Sequence, residues 1–95
     1  MNKYELSVIL RPTLEEEEQK AEFEKIQELI TKFGGTIDKV DEWGRRRLAY
    51  EIQKHAEGIY SFITFKAEVD VPAEIESRIR IMENVLRYLI VRQEA

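Results

Sequence analysis

The sequence predicts an α+β domain in which two helices cover one face of a four-stranded antiparallel sheet, and three observations carry that prediction. Apolar and polar residues alternate from Lys3 to Arg11, as a strand buried on one side requires. Apolar residues then recur at helical spacing between Phe23 and Phe33, and again from Ile75 to Met82. Turn-forming residues punctuate these stretches at Pro12, Gly34-Gly35 and Gly58, and Asp70-Val71-Pro72 has the form of a helix start. The 95 residues suffice for one core, so residues 1–95 are expected to form a single domain.

In the first strand Tyr4, Leu6, Val8 and Leu10 share one face, and Lys3, Glu5, Ser7, Ile9 and Arg11 the other. Pro12, which has no N–H to donate, ends it. Thr13 followed by Glu16 predicts a capping box, with Glu15 to Glu18 in the first turns, where the helix dipole favours negative charge. Phe23, Ile26, Ile30 and Phe33, with Leu29 beside them, make this an amphipathic helix of about five turns, and Gly34-Gly35 caps it. Thr36 to about Gln53 is read as extended, with a bulge or bend near Gly44. Lys54-His55-Ala56-Glu57-Gly58 is expected to be a hairpin loop. Ile59 to Ala67 is apolar on both faces over much of its length, as a central strand should be. The second helix buries Ile75, Ile79 and Met82 and ends at Glu83-Asn84, and Val85 to Arg92 forms the last strand. The order β-α-β-β-α-β is that of a ferredoxin-like sandwich, whose uncovered sheet face is where such a domain acquires a partner. The fold alone specifies no function.

Composition narrows the classes. With 43% hydrophobic and 36% charged residues the chain is globular. It has no cysteine, which excludes disulfides, thiolate catalysis and cysteine metal sites and suits a reducing cytoplasm. No apolar run approaches the roughly 20 residues of a membrane span, and Met1 to Glu5 lead into a strand instead of a signal peptide, so a soluble cytoplasmic protein is expected. The net charge of −4 arises wholly between Thr13 and Phe33, where seven acids face three bases. The remainder is neutral and is free to present a basic surface to a polyanion while the acidic helix faces away.

Catalysis has little to work with. His55, the only histidine, falls among charged loop residues, and the consecutive carboxylates of Glu15 to Glu18 point in different directions and cannot converge on an ion. No phosphate loop, serine elbow or metal-ligand spacing is present. No enzymatic activity, metal, cofactor or small-molecule substrate is expected.

Two segments point to binding instead. Gly44-Arg45-Arg46-Arg47-Leu48-Ala49-Tyr50-Glu51-Ile52 concentrates three guanidinium groups, and in an extended chain Arg45 and Arg47 share one face while Arg46 takes the other. Such a run either grips phosphate through arginine's planar donor fork or guards a strand edge with charge. Tyr60-Ser61-Phe62-Ile63-Thr64-Phe65 partly resembles the core of an RNA-recognition-motif signature, without its preceding basic residue and glycine and without an aromatic between Leu6 and Leu10. Tyr60 and Phe62 are thus open to base stacking or to packing against a protein partner.

The Gly44 to Ile52 run resembles the signature of the sixth-protein family of the bacterial small ribosomal subunit, and the resemblance extends along nearly the whole chain. Tyr4-Glu5, Arg11-Pro12, Gly34-Gly35, Lys39-Val40-Asp41-Glu42-Trp43, Gly58, Ile81 to Asn84, Arg87 and Val91-Arg92 fall in the family order. The resemblance implies a non-enzymatic component of the 30S subunit in the cytoplasm, with the ferredoxin-like fold. It also implies pairing with the eighteenth small-subunit protein as a heterodimer and binding to the central domain of 16S ribosomal RNA. By position, Arg45, Arg46, Arg47, Arg87, Arg92 and Lys3 match the family's basic residues and are the expected RNA contacts, although Lys3 stands where a doubly basic start is usual. Tyr50, Tyr60 and Phe62 are the expected partner contacts, Tyr50 being equally suited to the core. The sequence ends at Ala95, so no tail contact is expected. The competing expectation is a ferredoxin-like interaction domain that homodimerises through its open sheet, indifferent to salt and without RNA.

Overall fold

Residues 1–93 are described by a computed structural model, in the order β1 (Asn2–Leu10), α1 (Glu16–Lys32), β2 (Thr36–Ile52), β3 (His55–Ala67), α2 (Val71–Ile79) and β4 (Val85–Gln93). The strands lie β2-β3-β1-β4, every neighbouring pair antiparallel. β1 and β3 are therefore central, and each helix carries the chain over a central strand to an edge. The expected α+β, ferredoxin-like sandwich is the one observed.

The register explains the two faces. Opposite residues of an antiparallel pair point the same way, so Tyr4↔Phe65, Leu6↔Ile63 and Leu10↔Ile59 build one apolar layer. Phe23, Ile26 and Ile30 of α1 and Val71, Ile75 and Ile79 of α2 close over it. Tyr4 and Phe65 stack with ring centres 5.6 Å apart. Each fully buried large apolar side chain contributes about 1.5–3 kcal/mol, so this layer dominates stability. Ser61 is wholly buried within it, opposite Val8, and among the described residues its hydroxyl has no hydrogen-bond partner.

Four details differ from the sequence reading. The capping box is formed by Glu15 and Glu18, not Thr13 and Glu16: the Glu15 N–H donates to Glu18 Oε1 at 3.3 Å. Leu14 is drawn into the core, and its burial delays the helix start. The hairpin loop is two residues, Gln53-Lys54, with φ of +50° and +68°, so His55 and Gly58 lie in β3. Two positive φ values match the turn that twists with its strands, but that turn is usually written with asparagine and glycine. Gly58 serves packing instead, since a Cβ there would stand 2.3 Å from Ile9 Cγ2. Met82 lies beyond α2, half-buried against the core in the turn to β4.

Gly44, at φ +77°, marks the expected bulge, where the β2–β3 register shifts between Glu42 and Gly44. Two further shifts fall between Ile37 and Lys39 and between Arg47 and Ile52. In the last, residues 48–51 of β2 oppose only Ala56, so β2 bows outward and its inner side chains gather over the sheet. There Leu48 joins Ile9 and Leu86, with Ile52 and Tyr60 against them, in a second small apolar cluster.

Candidate nucleic-acid and partner interface

Strand alternation divides the arginine run. Arg46 lies opposite Gly58 on the uncovered face, whereas Arg45 opposite Ile59 and Arg47 opposite Glu57 point to the helix side. Arg45 is engaged twice: Nη1 donates to Glu57 Oε2 at 3.4 Å and Nη2 to the Pro12 carbonyl at 3.0 Å. Arg46 Nη1 donates to the Arg45 carbonyl at 3.1 Å, and its guanidinium lies 5.9 Å from the centre of the Trp43 ring. Arg47 is exposed and, among the described residues, has no hydrogen-bond or ion-pair partner. Exposed contacts of these kinds contribute at most about 1 kcal/mol each. They set direction more than stability.

An aromatic and aliphatic surface occupies the uncovered face beside Arg46. Trp43 tilts against Phe62 with ring centres 4.7 Å apart, and Tyr60 follows at 6.5 Å. Trp43 Nε1 donates to Asp41 Oδ2 at 3.1 Å, which holds the indole in place. From β4 the register adds Arg87, Leu89 and Val91 on the same side. Trp43, Leu89 and Val91 remain about half exposed, a large apolar area for a surface. Ile9, Tyr60, Phe62, Arg87 and Leu89 line a depression of about 200 Å³. Arg87 Nη1 donates to the Tyr50 hydroxyl, closing β4 to β2 across the Ile9–Leu48–Leu86 cluster. Tyr50 is 61% exposed and is not a core residue.

The expected RNA contacts do not form one patch. Lys3 pairs with Lys66 and Gln93 at the far end of the uncovered face, and Arg92 lies opposite Tyr4 on the helix side, donating from Nη2 to Asn2 Oδ1 at 2.9 Å. Lys3 and Ile9, the partner of Arg87, are six residue steps apart along β1, a distance of about 20 Å. The uncovered face carries Lys3, Lys39, Lys66, Arg46 and Arg87 against Glu5 and Asp41. The acidic α1 is on the other side of the sheet, so the net charge conceals a basic face. Trp43, Leu89 and Val91 were missed as site residues. A tryptophan within charged sequence was the available signal for the first; Leu89 and Val91 read as ordinary strand residues.

The chain is similar to known proteins over nearly its full length. Residues 3–92 match the family model described as Ribosomal protein S6. The small ribosomal subunit protein bS6 of Clostridium botulinum (strain Hall) is 47% identical over 94 residues, covering 99% of this chain and all of that relative. The protein of the same name from Clostridium novyi is 48% identical, with 99% of each chain covered. The crystal structure of 30S ribosomal protein S6 from Thermotoga maritima superposes with a TM-score of 0.94 at 33% identity, covering 97% of this chain and 87% of that one.

Proposed function

The chain belongs to the ribosomal protein S6 family, and from that premise we propose that it binds the central domain of 16S ribosomal RNA as one half of a heterodimer with the eighteenth small-subunit protein. As a family member it is a structural component of the small ribosomal subunit in the cytoplasm and not an enzyme. The observation that supports the finer reading is the adjacency of two unlike surfaces: the uncovered apolar face of Trp43, Tyr60, Phe62, Leu89 and Val91, and the arginines at its border.

In this reading the protein partner covers the apolar face, where aromatic anchors surrounded by polar residues make the largest contributions. Arg45, Arg46, Arg47 and Arg87 lie at the border and reach backbone phosphates. Such contacts position the domain without reading bases, while the shape of an RNA junction and the partner supply specificity. About three to five phosphate contacts give a modest affinity that falls as salt rises, so the isolated chain binds RNA weakly and the pair binds tightly. Lys3 and Arg92, about 20 Å away along the strands, meet a separate RNA segment or none.

Gel-shift titration of a central-domain 16S RNA fragment, with and without the eighteenth protein and at two salt concentrations, tests the proposal. Tight, salt-sensitive binding only when both proteins are present is expected. A salt-indifferent homodimer that ignores RNA would overturn it in favour of a self-associating interaction domain.

A further inference from the structure

A relay of polar contacts runs from the helix layer to the arginine run, and Asn84 is its central member. Asn84 sits in the turn between α2 and β4. Its carbonyl accepts the Arg11 N–H at 3.0 Å, its side-chain oxygen accepts from Arg11 Nη2, and its amide donates to Glu22 Oε1 of α1 at 3.2 Å. One residue, 73 positions away in sequence, thus holds Arg11 by backbone and side chain together. The next residue is Pro12, whose carbonyl accepts Arg45 Nη2. On the far side of the turn the Leu14 N–H donates to the Arg11 carbonyl at 3.5 Å, and Gln19 Nε2 donates to the Leu14 carbonyl at 2.9 Å.

We infer that Asn84 is a positioning residue for RNA binding: through Arg11 it fixes the Pro12 carbonyl that orients the Arg45 guanidinium, and it does not itself touch RNA. The inference rests on the proposal above that Arg45 meets phosphate. Arg11 Nε is buried and, among the described residues, without a hydrogen-bond partner. Removing the Asn84 side chain orphans a second donor of the same part-buried guanidinium, which then turns toward water. The backbone bonds of Arg11 to residue 84 and Leu14 remain, but the turn loses its side-chain brace, and the Pro12 carbonyl is held less firmly. Arg45, held on one side by Glu57 and on the other by Pro12, loses the fixed direction that lowers the entropy cost of gripping a phosphate.

The test measures affinity for the central-domain RNA fragment, with the eighteenth protein present, for the unaltered chain, Asn84→Ala, Arg45→Ala and the double variant. Each is titrated across salt concentrations at a temperature where circular dichroism shows it folded. Asn84→Ala is expected to weaken binding about fivefold, the scale of one hydrogen bond, and to flatten the log–log salt dependence by about 0.7–0.9, the signature of one lost phosphate contact. The double variant should bind no more weakly than Arg45→Ala, because the two act on one contact. Glu22→Ala releases the Asn84 amide but spares its bonds to Arg11, and serves as the milder variant with an expected loss of about twofold. A lowered melting temperature with unchanged RNA affinity, or losses that multiply in the double variant, would overturn the inference. If Arg45→Ala alone leaves RNA binding unchanged, the RNA role of Arg45 fails first and the inference falls with it.

Discussion

The two faces of β3 are built from nearly the same residue types and have opposite fates. Ile63 and Phe65 point into the helix layer and are fully buried, while Tyr60 and Phe62, on the alternate positions, are half-covered; Phe62 meets Tyr60 and Trp43, and Arg46 lies over Trp43. On one face the chain supplies its own cover, because β1 carries the matching apolar residues and two amphipathic helices return over them. On the other no helix of the described residues returns, and arginines border the aromatic surface. Apolar character alone therefore does not distinguish core from interface. What distinguishes them is whether the rest of the chain can reach the surface, and which charges border it.

Substitution of paired aromatics gives the sharpest way to break this contrast. Phe65→Ala should cost about 3–5 kcal/mol of folding stability by chemical denaturation, because Phe65 is wholly enclosed and stacks on Tyr4. Phe62→Ala should cost under about 1 kcal/mol yet weaken association with the eighteenth protein more than about tenfold, as a central aromatic anchor does. Calorimetric titration alongside denaturation checks both. Comparable destabilisation by the two changes would mean that the uncovered face is core after all.

Gly58→Ala probes the small apolar cluster on the uncovered face and should have an intermediate effect. Its new methyl would meet Ile9 Cγ2 at 2.3 Å and approach Leu48 Cδ2 at 3.6 Å, crowding the small cluster under the bowed β2. A loss of about 1–3 kcal/mol is expected, read as a lower denaturation midpoint. If stability is unchanged, the cluster yields freely and the bow of β2 is soft.

Much of this contrast was legible in sequence, and what was not has identifiable causes. The alternation of Tyr4, Leu6, Val8 and Leu10 and the helical spacing of Phe23, Ile26 and Ile30 fixed the covered face, because periodicity reports burial directly. The hairpin was misplaced because Gln53-Lys54 adopts positive φ without glycine while Gly58 invites a turn it does not make. The arginine run and its division by alternation were both visible in sequence, but its tertiary anchoring was not. Which side Arg46 takes follows from alternation, whereas Arg45 reaching the Pro12 carbonyl depends on a tertiary contact spanning 33 residues. Trp43 escaped for a similar reason: its place against Phe62 depends on a register shift at Gly44 that sequence locates only loosely.

Arg46→Ala sharpens the contrast through the border. Trp43 is the only tryptophan of the chain, half-exposed between the Phe62 ring and the Arg46 guanidinium, so its fluorescence reports this corner alone. Losing a cation–π contact of about 0.5–1 kcal/mol should shift the emission and weaken RNA binding while leaving the denaturation midpoint nearly unchanged. An unchanged spectrum would mean that Arg46 does not rest on the indole in solution.

The smallest effect is expected at the far end of the sheet, and it decides whether the basic surface is one site or two. Lys3 lies about 20 Å along the strands from Arg87, and Arg92 faces the helix side, tied to Asn2. At physiological ionic strength charges that far apart are beyond the Debye length of about 8 Å, so neither residue supports the arginine run through the field. Lys3→Ala and Arg92→Ala should therefore lower RNA affinity less than about threefold, below the cost of one well-made charged hydrogen bond. Losses equal to that of Arg47→Ala would require an RNA that spans the sheet from end to end, and the uncovered face would then be shared between polynucleotide and protein.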